Sequence, residues 1–257
     1  MKPSALIGFS GFVGSNILRQ HQFETVFNSK NIDEIKDGTY DLVVCAGASA
    51  EKWKANREPE NDLHNIKSLI RNLTQIMANE FILISTVDVY SNPQAVYEDS
   101  AIIPEQNSAY GNHRFQLEEF VRNSFSNHLI IRLPGLIGKG LKKNFIFDML
   151  HKPEALSLTN ANSKYQFYSL DFLWADIQKI RNKGISTINF AIPPLSVETI
   201  ALKCFGKYFT NEISTHPVNY DMRTHYADYL GHTGNYIWTE EKELEEIRLF
   251  VESQRIL

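Results

Sequence analysis

Tyr110 and Arg114 stand four residues apart where a helical pattern begins, so they share one face of that helix. A phenol exchanges protons near neutral pH only when its pKa falls from about 10, and a nearby cation lowers it. Ser85 and Thr86 close an apolar run and offer hydroxyls able to hydrogen-bond the oxygen on which such a phenol would act. Together these residue types fit proton transfer coupled to hydride transfer at a hydroxyl-bearing carbon.

That chemistry needs a cofactor, and residues 5–18, ALIGFSGFVGSNIL, supply a place for one. The apolar run 5–7 predicts a buried parallel strand. Helical periodicity takes over at Val13, Ile17 and Leu18. Between them Gly8, Gly11 and Gly14 recur at a spacing of three. Gly8 lets the chain leave the strand in a tight turn, Gly11 lets backbone approach a pyrophosphate, and Gly14 lets the helix pack closely on the strand. The free N–H groups at the helix start face the anion. Ser10, Phe12 and Val13 complete the cofactor set in this turn. The pattern is GxxGxxG, not the commoner GxGxxG.

The surrounding elements must hold these groups together. Strands are expected at 24–27, 40–48, 81–84 and 129–133, with helices at 63–77 and 110–124 and a short turn or helix at 31–36. The run 40–48 is apolar apart from Asp41, as a parallel strand covered on both faces would be. It ends in Ala46, Gly47 and Ala48, small residues beside which a ligand can approach backbone. Residues 49–60 read as polar and irregular, and 91–109 as a long loop. The alternation predicts an α/β fold with a doubly wound parallel sheet of the Rossmann type, whose ligands sit at the carboxyl ends of the strands. Segments 8–14, 28–30, 46–48, 85–90 and 134–138 fall at those ends, which adds Pro134 and Leu136 to the cofactor residues. Further on, helices are expected at 145–150, 171–181, 196–204 (capped by Ser196) and 240–253, and strands at 165–169 and 186–191. The acidic cluster Glu240, Glu241, Glu243, Glu245 and Glu246 reads as a solvated helix face. This divides the chain into a dinucleotide-binding core, 1–140, and a small α+β substrate region, 141–257, with 170–191 returning to the core sheet.

Composition narrows the function further. With 257 residues, 43% hydrophobic and 22% charged, the chain can bury a sizeable core. A net charge of −4 gives no reason to expect a nucleic acid or an anionic membrane as partner. Cys45 and Cys204 are too few for a disulfide framework, the N-terminus reads as no signal peptide, and no apolar run approaches a membrane span. A reducing, cytoplasmic compartment is the expectation. His216, His225 and His232 lack tight ligand spacing, so no metal site is expected.

In order along the chain, GFSGFVG (8–14), VVCAGA (43–48), Asn65, ISTVDVY (84–90), YGNHR (110–114) and IRLPGLIGKG (131–140) resemble the motifs of the extended short-chain dehydrogenase/reductases, the NAD(P)-dependent nucleotide-sugar epimerases, dehydratases and reductases. Weaker echoes continue through 166–177 and 188–201. The resemblance implies that Tyr110 is the acid/base, that Thr86 hydrogen-bonds the substrate oxygen, and that residue 114 holds the nicotinamide ribose. It places Val87 and Asp88 against a nucleotide-sugar substrate and implies a homodimer through helices 61–78 and 110–126. Asn144, Tyr168 and Arg223 are the polar residues of the second half able to reach sugar or diphosphate.

Three departures stand out. Arg114 replaces the family's lysine, keeping the charge but with a bulkier fork that never gives up its proton. Asn28 stands where an Asp or Glu would bind the NAD ribose, and Ser29 and Lys30 beside it tolerate a 2′-phosphate, favouring NADP over NAD. The C-terminal region is short for the family. Two functions remain open: an NAD(P)-dependent oxidoreductase or epimerase, and a dinucleotide-binding protein with reduced or lost catalysis.

Overall fold

A computed structural model describes residues 2–212 and 216–255. In chain order the elements are β1 (Ser4–Ile7), α1 (Phe12–Gln20), β2 (Thr25–Phe27), β3 (Thr39–Cys45), α2 (Lys52–Arg57), α3 (Pro59–Leu73), β4 (Met77–Thr86), β5 (Gln94–Val96), α4 (Ala109–Ser124) and β6 (His128–Leu133). There follow β7 (Gly135–Ile137), α5 (Phe145–His151), β8 (Lys164–Tyr165), β9 (Phe167–Ser169), α6 (Leu173–Ile180), β10 (Thr187–Asn189), β11 (Leu195–Ser196), α7 (Val197–Phe205), β12 (Asp221–Met222) and α8 (Glu240–Arg255).

Two units emerge. The first comprises 1–92, 100–132 and 174–188. Its sheet has the order β10-β6-β4-β3-β1-β2, and the pairings of β1 with β2, β1 with β3 and β3 with β4 are parallel. Strand order reverses between β1 and β3, with β2 on one side of β1 and β3, β4, β6 and β10 on the other, the topology of a Rossmann-type α/β domain. Val43, Val44 and Cys45 are fully buried, as the unbroken apolar run of β3 predicts. One face packs Ala5, Ile7, Val43 and Phe81 with Ile66 and Leu73 of α3 and Leu117 and Val121 of α4. On the first helix, Gln20 accepts the backbone N–H of Trp174 at 3.1 Å, and His21 stacks on the Trp174 ring at 4.3 Å, which fastens α6 to α1.

Two boundaries differ from expectation. Residues 49–60 are not irregular: α2 occupies Lys52–Arg57, and α3 begins at Pro59, which has no N–H to lose in a first turn. That shift ends α3 at Leu73, and Met77 opens the long strand β4 rather than closing a helix.

The second unit comprises 93–99, 133–173 and 189–257. It holds three two-stranded pairs, β11-β8, β12-β5 and β7-β9, around a core of Ile137, Ile146, Met149, Val197, Ile200, Ile247 and Val251. Ser196 caps α7 by accepting the Thr199 N–H at 3.0 Å, and Gly206 ends it at φ +66°. The acidic face of α8 is only partly solvated. Glu243 is fully buried: one carboxylate oxygen accepts the Phe167 N–H at 2.8 Å, and the other has no partner among the described residues. The cause is position, since α8 turns this residue toward β9. Burial drives the Glu243 carboxyl well above its ordinary range, against the pull of the Phe167 N–H. Because the folded state then binds the proton more tightly than the unfolded chain, this residue's contribution to stability declines as pH rises above about 4.5. Glu243→Gln is expected to melt a few degrees above the wild type at pH 8. The difference should close as the pH approaches 4.5, and thermal melts at the two pH values check it.

Candidate active site

The glycine turn is built by contacts that no side chain could share. Gly8 has φ +86°, and a Cβ there would lie 2.3 Å from the Ala46 carbonyl oxygen. A Cβ on Gly14 would lie 2.1 Å from the Gly8 carbonyl oxygen, so α1 can approach the turn only through glycine. Gly11 differs: its nearest neighbour would be the Gly8 oxygen at 3.3 Å. Gly11 is also the N-cap of α1 and supplies no side-chain bond to the first-turn N–H groups. A tight turn with close-packed glycines behind and uncapped helix N–H groups in front fits a dinucleotide pyrophosphate. Ser10 is tied to the end of β2 by the Asn28 amide, which donates to its hydroxyl at 3.3 Å, while the Asn28 oxygen accepts the Lys30 N–H at 2.9 Å. Ser29 and Lys30 are exposed beside it. Ala46, Gly47 and Ala48 follow β3 directly, with a Gly47 Cβ position 3.0 Å from Ile7. Pro134 and Leu136 belong to the second unit, where Leu136 pairs with Tyr168 between β7 and β9.

At the ends of β4 and α4 the structure brings Thr86 and Tyr110 together, so that the Thr86 hydroxyl acts on the Tyr110 phenol. The turn Val87–Val89 is closed by the Asp88 N–H donating to the Thr86 hydroxyl at 3.2 Å. Asn107 bridges that turn to α4, its amide donating to the Asp88 and Val89 carbonyls at 3.1 and 2.7 Å. Ser108 caps α4, and Asn56 accepts the Tyr110 N–H at 2.9 Å. Gly111 completes the join, since a Cβ there would stand 1.9 Å from the Asp88 carbonyl oxygen. The separation of Tyr110 from Thr86 is thus set by direct backbone packing of α4 on the turn. Val87 is buried in it, and Asp88 takes an ion pair from Lys52 Nζ at 2.7 Å.

Tyr110 and Arg114 are both buried. Arg114 lies flat on the Tyr110 ring, its guanidinium carbon 4.0 Å from the ring centroid. Its terminal nitrogens grip both oxygens of Asp62, and they also donate to the Ser49 carbonyl at 2.6 Å and the Tyr110 carbonyl at 3.3 Å. The His113 ring nitrogen Nδ1 meets the same carboxylate at 2.7 Å. Only Arg114 Nε has no partner among the described residues. Burial pushes the Tyr110 phenol above its usual value, as does Asp88, and the opposing pull of Arg114, Thr86 and Lys52 does not overcome it. For Asp62 the balance is opposite: burial raises the carboxyl, but the bonds from Arg114 and His113 outweigh it and hold it below the usual range. Nothing in the sequence flagged Lys52, Asn56, Asp62 or Gly111. The 3.6-residue period alone marks Asp62 as sharing a helix face with Ile66 and Leu73.

With this geometry in view, the family model described as the RmlD substrate binding domain matches residues 7–160, more than half of the chain. The chain belongs to that family. No curated protein sequence matches it. Solved structures similar to this RmlD-family chain include a dTDP-4-dehydrorhamnose reductase from Clostridium acetobutylicum, at 18% identity over 98% of this chain and 99% of the other, with a TM-score of 0.74. The Bacillus anthracis dTDP-4-dehydrorhamnose reductase, solved in complex with NADP, aligns at 16% identity over 98% and 99% with a TM-score of 0.75. TunA, an NAD-dependent NDP-hexosamine 5,6-dehydratase involved in tunicamycin biosynthesis, aligns at 18% over 100% and 99% with a TM-score of 0.76. At these identities the likeness is one of fold, and it extends the full length of the chain, including the short C-terminal region.

In the second unit the three polar candidates have different surroundings. Asn144 caps α5 by accepting the Phe147 N–H at 2.9 Å, and its amide donates to the Leu136 carbonyl at 2.8 Å. Tyr168 is fully buried, stacked on Trp238 at 4.9 Å and edge-on to Phe190. Arg223 is half-buried and paired with Asp221 at 2.6 Å, and Asp221 also accepts the Tyr236 hydroxyl. Among the described residues no helix is long and apolar enough to cross a membrane.

Proposed function

We propose that this protein is an NAD(P)-dependent reductase of a keto group on a nucleotide-linked sugar. The observation that carries the reading is the buried Tyr110 phenol set beside Thr86 at the ends of α4 and β4, where an un-ionised phenol can donate to a substrate oxygen. A phenol in that state donates a proton; a site that began by oxidising an alcohol would need it ionised first. The dinucleotide supplies the hydride when bound. The chain's own residues do the rest. Thr86 orients the carbonyl oxygen, Tyr110 delivers its proton to that oxygen, and the glycine turn with the start of α1 holds the pyrophosphate. Asn28, Ser29 and Lys30 flank the adenosine ribose, and Ser29 and Lys30 suit a 2′-phosphate, so NADPH is the favoured form. Arg114 Nε is a buried donor without a partner among the described residues.

The keto-sugar class is supported by the likeness to dTDP-4-dehydrorhamnose reductases, and Arg223 is the second-unit cation suited to a diphosphate. Cys45 and Cys204 are buried free thiols, each pushed up to about 11 by burial, which suits a reducing cytoplasm. The test is a fluorescence titration with NADPH and NADH, followed by an assay of NADPH oxidation with dTDP-4-dehydrorhamnose and UDP-linked keto sugars. Tighter binding of NADPH and a turnover rate flat between pH 6 and 9 are expected. A folded protein that binds neither nucleotide would sink the enzyme reading and the dinucleotide-binding alternative together, whereas binding without turnover would favour the alternative.

A further inference from the structure

Arg114 has five N–H donors, and the carboxylate that faces them is unusual. Asp62 comes from α3, more than fifty positions away in sequence, and is buried with Arg114. It takes one bond from each guanidinium arm and a third from His113. The guanidinium is thereby held against the face of the Tyr110 ring, with its remaining terminal hydrogens fixed by the Ser49 and Tyr110 carbonyls. A planar fork engaged at both arms cannot swing toward the phenolic oxygen. The other ionic groups acting on that phenol are Lys52 and Asp88, which already pair with each other. On the outer side of Asp62 a small polar cavity of about 100 Å³ is lined by Glu51, Lys54, Glu58, Asn61 and Asn65. Among the described residues the side-chain partners of the carboxylate are Arg114 and His113.

We propose that Asp62 is a positioning residue for Tyr110: it pins Arg114 to the ring and offsets its charge, so that Tyr110 keeps its proton and serves as an acid. This rests on the reading of Tyr110 as the proton donor, and it explains how arginine is accommodated where the resemblance leads one to expect lysine. The charge at 114 is retained and still pulls on the phenol, but Asp62 fixes where that charge sits.

The test measures Tyr110 directly in the cofactor-free protein, by NMR of 13Cζ-labelled tyrosine with the Tyr110 signal assigned from its loss in Tyr110→Phe. In Asp62→Asn the released guanidinium is expected to lower the phenol's titration midpoint by about one pH unit, a roughly tenfold change in its proton affinity. The same substitution in an Arg114→Met background should produce a clearly smaller fall. Equal falls in both backgrounds would show only the direct field of Asp62 and overturn the proposal. Should Asp62→Asn fail to fold, the neutral pair Asp62→Asn with Arg114→Gln removes both charges without leaving either buried alone. It is expected to shift the midpoint by less than about half a unit, whereas a rise beyond one unit would mean that Arg114 acts at full strength despite Asp62. None of these readings needs substrate or turnover. Failure of the NADPH titration would therefore count against the enzyme reading and leave the Asp62 result to stand or fall separately.

Discussion

Tyr110→Phe should lower kcat for carbonyl reduction by about 10²- to 10⁴-fold, the usual contribution of a positioned general acid, while NADPH affinity stays near the wild-type value. The substitution removes one oxygen from a ring that keeps its packing under Arg114 and at the head of α4. Its cost should therefore fall on the chemical step and leave ground-state binding alone. Stopped-flow NADPH oxidation, with nicotinamide fluorescence as the binding control, separates the two. A loss of less than about fivefold in kcat would mean that the proton comes from elsewhere. Thr86→Val should also slow the reaction, through poorer orientation of the substrate oxygen, but with a smaller loss because the proton donor remains. If Thr86→Val proved worse than Tyr110→Phe, the roles of the two residues would have to be exchanged.

The largest expected effect on stability lies behind Thr86. Arg132 of β6 is almost wholly buried, and so is Glu118 of α4. Arg132 Nη2 meets Glu118 at 2.7 Å, Nε meets it at 3.1 Å, and Nη1 donates to the Tyr90 hydroxyl at 2.5 Å. The same carboxylate accepts the Ser85 hydroxyl at 2.6 Å and Arg122 at 2.9 Å. Ser85 is the residue before Thr86, so this network links β6, α4 and the end of β4 beneath the proposed site. Arg132→Met leaves Glu118 charged, buried and served only by Ser85 and the more exposed Arg122. Breaking one side of a buried pair in this way costs about 3–5 kcal/mol. For a protein of this size that corresponds to a melting point lower by roughly 10 °C. Replacing both members by apolar residues of similar volume should cost much less, because no uncompensated charge remains. Urea unfolding of the two variants decides between a paired-charge role and simple packing: equal losses would show that the charge is irrelevant.

How much of this was legible beforehand depends on the range of the interaction concerned. The GxxGxxG turn could be read because two of its three glycines answer a local demand, a positive φ at Gly8 and close backbone contact at Gly14, and such demands leave a mark in residue type. The central-sheet strands of the first half were legible for a related reason, whereas β5, inside the stretch 91–109 read as a loop, was not. A parallel strand buried on both faces is apolar where it is covered, as β3 is from Leu42 to Cys45. The helix at 52–57 was not legible, because a helix of six residues with one buried position has too short a period to register. Glu243 misled for the opposite reason: it stands in an acidic cluster with the exposed Glu240, Glu241 and Glu245, and only the docking of α8 against β9 takes it out of water.

The sequence by itself therefore determined the α/β class, the place of the dinucleotide turn and the candidate pair Thr86 and Tyr110, since periodicity and glycine spacing are local properties of the chain. What only the tertiary structure decided is the state of those groups. The charge of Arg114 is written in the sequence, but its effect on Tyr110 depends on Asp62, brought in from another helix to within a hydrogen bond. The reason is physical: electrostatic influence falls with distance in space and grows with burial, and neither can be read along the chain until packing has set them both.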